Sequence, residues 1–288
     1  MKKILIILFL FSFLLMGCGS KLIDSSTTNS NNGFSIFVSE SEKSEIIVVK
    51  LRGSVNLEWA DQIEEAYKKE NCIWVIAWIE SRGGTFIETK LTAHKIRALT
   101  RKYKKELIVY SERGLYSGAY WIACEANAIV IAPSGNTGSI GVYSVRVDVT
   151  AADSVNGVKY HLIKSGKCKA MWFPHSKLTD EEKKVLQKQI NKLYYEFLWH
   201  IYNCRGNQIY QACYALVGAN VNDTTVANYL EKVCDGRSYD AKDAFTFGLI
   251  DKVMYFDEMI KDLYKNVPNT DIVTEDGEKI EDFYPEDN

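Results

Sequence analysis

Apolar residues fall along this chain in short blocks separated by polar, glycine-bearing turns. Ile46-Ile47-Val48-Val49-Lys50-Leu51 is rich in β-branched residues and stops at Gly53, the pattern of a buried strand. Residues 57–70 place Leu57, Ile63, Ala66 and Tyr67 at helical spacing. A second apolar run, 73–79, ends in Ser81-Arg82-Gly83-Gly84. A helix is predicted over 86–103, a third strand over 107–110, a short helix over 117–125 and a fourth strand over 128–132, closed by Pro133. Residues 160–164 read as a fifth strand. Strands alternating with helices imply βαβ units and an α/β fold whose mostly parallel sheet is flanked by helices. Strands covered on both faces read as continuous apolar runs, as these do.

A long helix is predicted from Thr179, because Thr179 and Glu182 have the spacing of a capping box. Val185, Leu186, Ile190, Leu193, Tyr194, Phe197, Leu198 and Ile201 then form one apolar stripe, the mark of core packing or of a subunit interface.

The N-terminus has a different character. Lys2 and Lys3 precede an almost wholly apolar stretch, 4–16, too short to cross a hydrocarbon core that needs about 20 helical residues. It fits a secretory signal peptide. The stretch ends Gly17-Cys18, which resembles the bacterial lipobox. Residues 1–17 are therefore expected to be a lipoprotein signal, with Cys18 lipidated and the protein held on the extracytoplasmic side of a bacterial membrane. Residues 18–44, rich in Ser, Thr and Asn, read as a tether. The folded domain is expected over 45–265 and a loose acidic tail over 266–288.

Charge adds little: 35 Lys and Arg stand against 37 Asp and Glu, so nothing points to nucleic acid as a partner. Besides Cys18 there are six cysteines, at 72, 124, 168, 204, 213 and 234, with no CxxC pair to hold zinc. Disulfides and plain core thiols both remain open.

Three glycine turns stand at strand ends: Ser81-Arg82-Gly83-Gly84, Tyr116-Ser117-Gly118-Ala119, and Asn136-Thr137-Gly138-Ser139-Ile140-Gly141. The carboxyl edge of a parallel sheet is where such folds build sites. Ser117 is placed either to cap a helix or to serve as a nucleophile beside the free N–H groups of a helix start. His94, His161, His175 and His200 are candidate bases, and none has a matching carboxylate on a glycine turn. A buried lysine is the alternative, since burial disfavours its charge. Lys164, Lys167 and Lys169 are the candidates, and Lys169 precedes the apolar Ala170-Met171-Trp172-Phe173.

The Ser turn, the Thr137-Gly138-Ser139-Ile140-Gly141 turn, the lysine segment before a Thr-x-x-Glu helix, Asp235-Gly236-Arg237, and the segment from Ala244 to Asp251 stand in one order. That set resembles the S49 peptidases, the signal peptide peptidase A group, in its short, single-copy form. The resemblance covers most of 45–255. It implies a ClpP/crotonase-like α/β fold of repeated ββα and βαβ units. It implies a serine endopeptidase with Ser117 as nucleophile and Lys169 as base. Gly83 and Gly118 would supply an oxyanion hole, and Ser139 would orient the Lys169 amine. It implies no metal or cofactor, apolar extended peptides such as residual signal peptides as substrates, and a homo-oligomeric ring whose dyad can join two subunits. The sequence departs from the family pattern at Arg82, where the family has Pro, and at Ala119, where it has Gly. A peptide-binding lipoprotein that no longer cuts, and a crotonase-like acyl-CoA enzyme, are the alternatives.

Overall fold

The computed structural model describes residues 43–218, 221–267 and 269–280. The expected signal peptide, Cys18 and most of the tether lie outside them. In chain order the elements are β1 (Ser44–Arg52), α1 (Glu58–Lys68), β2 (Cys72–Glu80), α2 (Phe86–Tyr103), β3 (Glu106–Ser111), β4 (Gly114–Tyr116), α3 (Gly118–Ala123), β5 (Ala128–Ile131) and β6 (Asn136–Gly138). They continue with α4 (Thr150–Val155), α5 (Asp180–Val217), α6 (Asp223–Val233), β7 (Ser238–Asp240), α7 (Ala241–Thr246), β8 (Lys252–Val253), α8 (Phe256–Asn266) and β9 (Thr270–Thr274).

Six strands form a parallel sheet in the order β8-β5-β3-β2-β1-β9. Alternate residues of β1 enter two cores. Ile47, Val49 and Leu51 pack on the side of α1, α2, α3 and α5, while Ile46 and Val48 face α8 through Phe256, Met259 and Ile260. Burial on both faces is why the strands are apolar throughout. A second sheet, β4-β6-β7, pairs β4 with β6 in parallel and β6 with β7 antiparallel. This is the expected α/β class. Among the described residues no helix is long and apolar enough to cross a membrane.

α5 starts as predicted, with both hydrogen bonds of the Thr179–Glu182 capping box in place. It is interrupted at Arg205 (φ −126°, ψ 20°). The buried Arg205 guanidinium forms two bonds to Asp251, of 2.9 and 3.0 Å, and the Asp251 carboxylate also accepts from Ile129 N–H at 2.8 Å. Burial raises the Asp251 pKa, but the guanidinium outweighs it and holds the carboxyl below its usual range.

Two expectations are corrected, and the open question of the cysteines is answered. Residues 160–164 are not a strand: they pair with neither sheet and are exposed throughout, Ile163 to 96%. The chain does not loosen at 266, because β9 pairs with β1 from Ser44↔Thr270 to Val48↔Thr274 and buries Ile272 and Val273. All six described cysteines are free thiols, and Cys72, Cys124, Cys213 and Cys234 are buried.

Candidate active site

The two sheets meet at one corner. β2 ends at Glu80, and Ser81 bridges to Leu115 of β4; Ser81 N–H donates to Gly114 C=O and Tyr116 N–H donates to Ser81 C=O, each at 3.0 Å. β4 in turn pairs Tyr116 with Gly138 of β6, and Ser117 N–H donates to Gly138 C=O at 2.9 Å. All three glycine turns therefore lie together, with Ser117 and Ser139 in adjacent positions after the Tyr116–Gly138 pair.

Ser117 has φ 51° and ψ −122°, a conformation that disfavours any residue with a side chain. Its hydroxyl does not cap α3. That removes the ordinary reason for a serine at a helix start and leaves the side chain free for other work. α3 is pinned behind it by the Tyr120 hydroxyl, which donates to Leu249 C=O at 2.6 Å. Ser139 shares the left-handed geometry (φ 51°), and its N–H donates to Arg237 C=O at 2.7 Å. The Asp235-Gly236-Arg237 and Ala244–Asp251 motifs thus act as braces for the two serine turns.

The packing leaves no room for side chains on the glycines. A Cβ on Gly83 (φ 101°) would lie 2.8 Å from Gly118 N and 2.9 Å from Ser117 Cβ. One on Gly118 would lie 2.3 Å from Thr89 Oγ1 and 3.2 Å from Gly84 N. Gly118 opens α3, so its N–H has no intrahelical carbonyl to receive it. The Gly83 N–H, by contrast, is taken by Ser81 Oγ at 3.0 Å. Gly84 N–H has no hydrogen-bond partner among the described residues. Gly118 N–H, next to Ser117, and Gly84 N–H, in the same groove, are thus unspent, while Gly83 N–H has a partner in Ser81. The Gly-Gly pair marks both glycines in the sequence, and the Ser81 partner of Gly83 is visible only in the structure.

A groove of about 940 Å³ runs past Ser117. Its floor holds Gly84 and Gly118, and its walls carry Phe86, Trp121, Leu193 and Phe197. Three residues of the predicted α5 stripe line this groove: Ile190 and Leu193 are only partly buried, and Phe197 is buried and joins the core with Leu198 and Ile201.

Lys169 is exposed, does not line the groove, and makes no hydrogen bond to Ser117. It sits in the excursion between β6 and α5. This segment is held to itself by Arg146, which donates to the carbonyls of Met171, Phe173 and Ser176, and by Val149 N–H to Pro174 C=O at 3.1 Å. Tyr143 (88%), Val155 (86%) and Ile163 (96%) on it are exposed.

The histidines form other partnerships. His175 Nδ1 lies 2.8 Å from Asp153, within the same excursion. His200 is buried, stacks on Trp121, and its Nε2 hydrogen-bonds Trp121 C=O at 3.1 Å. Neither lines the groove. Glu125, His200 and Cys204 are the one group among the described residues close enough to share a metal ion. Arg97 already engages Glu125 with two bonds of 2.6 and 2.7 Å, so the charge a cation would need is neutralised.

Comparison with known proteins gives a consistent set. A family model described as Peptidase family S49 matches residues 100–268. A putative protease of Methanocaldococcus jannaschii is 30% identical over 213 residues, 73% of this chain and 62% of its own length. A putative signal peptide peptidase SppA of Enterococcus faecium is 27% identical over 199 residues, 68% of this chain and 52% of its own. The chain thus spans about half to three fifths of the length of these relatives. Among solved structures, a membrane protease from Pyrococcus horikoshii specific for a stomatin homolog is 14% identical, with 81% of this chain and 92% of that one covered and a TM-score of 0.45.

Proposed function

Because the chain belongs to peptidase family S49, we propose that it is a membrane-anchored serine endopeptidase in which Ser117 and Lys169 form the dyad. The observation that carries this reading is the Ser117 turn: an uncapped hydroxyl in a strained conformation, with the unspent N–H groups of Gly84 and Gly118 at its side. The Lys169 amine takes the Ser117 proton as Oγ attacks the peptide carbonyl. The oxyanion that forms accepts from the Gly84 and Gly118 N–H groups. The lysine then hands its proton to the leaving amine, and water releases the acyl group by the same steps in reverse order. Ser139, which follows the Gly138 that pairs with Tyr116 in the β4–β6 ladder, would orient the amine.

The exposed position of Lys169 supports a dyad completed by a second copy. Tyr143, Val155 and Ile163, on the same excursion, are apolar surfaces of the kind a neighbouring subunit covers. The apolar groove walls suit extended apolar peptides, and Cys18 is the proposed lipid attachment that keeps the site at a membrane.

Turnover of a fluorogenic apolar peptide tests the assignment. Ser117→Ala and Lys169→Ala should each lower kcat by roughly a thousandfold or more. His175→Ala, which removes the competing base, should keep most of the turnover. A Lys169→Ala protein as active as wild type would remove the dyad. A chain that binds the peptide without cutting it would be the peptide-binding lipoprotein instead.

A further inference from the structure

Beside the Ser117 groove lies a second pocket of about 480 Å³, which shares Ser54, Arg82 and Gly83 with it and continues to Arg113 and Tyr116. The two pockets therefore adjoin at Ser54, Arg82 and Gly83. Arg82 and Arg113 are both exposed, and neither guanidinium has a carboxylate partner among the described residues. One carboxylate does line the pocket, that of Glu80. Its oxygens are already occupied by Trp78 Nε1 (3.0 Å) and by the N–H groups of Glu112 (2.7 Å), Arg113 (3.1 Å) and Gly114 (2.9 Å). Glu80 is thus committed to holding the β3–β4 turn, and its single negative charge is outnumbered by the two guanidiniums of the residues that line the pocket.

We infer that the pocket between Arg82 and Arg113 is a carboxylate subsite, selecting peptides that carry an acidic side chain or a free C-terminus near the bond presented to Ser117. This rests on the peptidase reading and adds to it a substrate class. Apolar walls in the Ser117 groove and two arginines lining the adjoining pocket match a peptide that is apolar on one side of Ser117 and anionic on the other. Guanidiniums suit the task because they present forked donors to both oxygens of a carboxylate and stay charged at any working pH. Gly53 and Ser54 at the rim add no bulk, and the space around Gly53 is open.

The test uses the full-length chain and one fluorogenic peptide in four forms: Glu or Gln at the position facing the pocket, each with a free or an amidated C-terminus. At low ionic strength kcat/KM for one anionic form should exceed that of its neutral partner by about fivefold. The Glu–Gln comparison identifies a side-chain carboxylate and the acid–amide comparison a terminal one. The ratio should fall to near one in Arg82→Gln/Arg113→Gln, persist in part in Arg113→Lys, and shrink at 0.5 M salt. A ratio is insensitive to how much of a variant is folded. Equal turnover of all four peptides by wild type would overturn the subsite and keep the peptidase. If none is cut, anisotropy on Ser117→Ala with the same peptides decides. Preferential binding of an anionic form keeps the subsite while the peptidase reading falls, and no preference overturns both.

Discussion

Ser117 carries a side chain where the backbone favours glycine (φ 51°). Such a conformation costs on the order of 1–3 kcal/mol. Ser117→Gly should therefore raise the unfolding free energy by about 1 kcal/mol in a denaturant melt while abolishing turnover; a loss of stability would show that the turn is relaxed. Gly118 faces the opposite constraint. An alanine there would press on Thr89 Oγ1, a buried hydroxyl with no hydrogen-bond partner. Gly118→Ala should cut kcat/KM by about a hundredfold or more through displacement of its own N–H. Thr89→Ala in the same chain, by removing both contacting atoms, should restore much of it. At this scale the sequence was informative about Ser117, which stands at a strand-to-helix junction whatever the details. It was not informative about the Gly83-Gly84 pair. Which of the two adjacent N–H groups is left unspent depends on a hydrogen bond from Gly83 to Ser81 that no local pattern announces.

The elements legible in the sequence are those whose residues are buried on a regular period: β1, β2, β3, α2 and the start of α5. The ones missed have other causes. β4 and β6 are three residues each, too short to show a period, yet they carry Ser117 and Ser139. β9 is an edge strand, Thr-Asp-Ile-Val-Thr, with one neighbour and acidic surroundings that mask its two core residues. Residues 160–164 have strand composition but lie exposed in the excursion before α5 and pair with neither sheet. The start of α5 offers a direct measurement. Thr179 Oγ1 accepts from Glu182 N–H, and the Glu182 carboxylate accepts from Thr179 N–H and lies 3.3 Å from Lys164. Thr179→Ala should lower stability by about 1 kcal/mol in chemical denaturation. No change would mean that the cap is satisfied by other means.

Two predictions belong to the whole molecule. Burial, assisted by the charge of Arg97, lowers the His200 pKa to about 4, against a partial offset from its bond to Trp121 C=O. The unfolded chain takes up this proton near pH 6.5, whereas the folded chain does so only near 4. The associated stability is complete above pH 6.5 and lost as the pH falls to 4, about 3 kcal/mol at most. Unfolding free energies across that window should have a shallower slope in His200→Gln; an unchanged slope would assign the acid sensitivity to other groups. Assembly is tested by mixing. Ser117→Ala and Lys169→Ala proteins, each inactive alone, should regain activity together if the dyad joins two subunits. No recovery in mixed oligomers would place both residues in one chain.

The bracing of the serine turns also has a direction in time. Ser117 is fixed from behind by Tyr120 holding Leu249, 129 residues later in the chain, and from the side by a β6 turn that waits for Arg237. A ribosome delivers these residues in order, so an emerging chain carries Ser117 long before the contacts that shape its turn. The serine becomes a formed turn only when nearly the whole domain is in place, and incomplete chains have no assembled site.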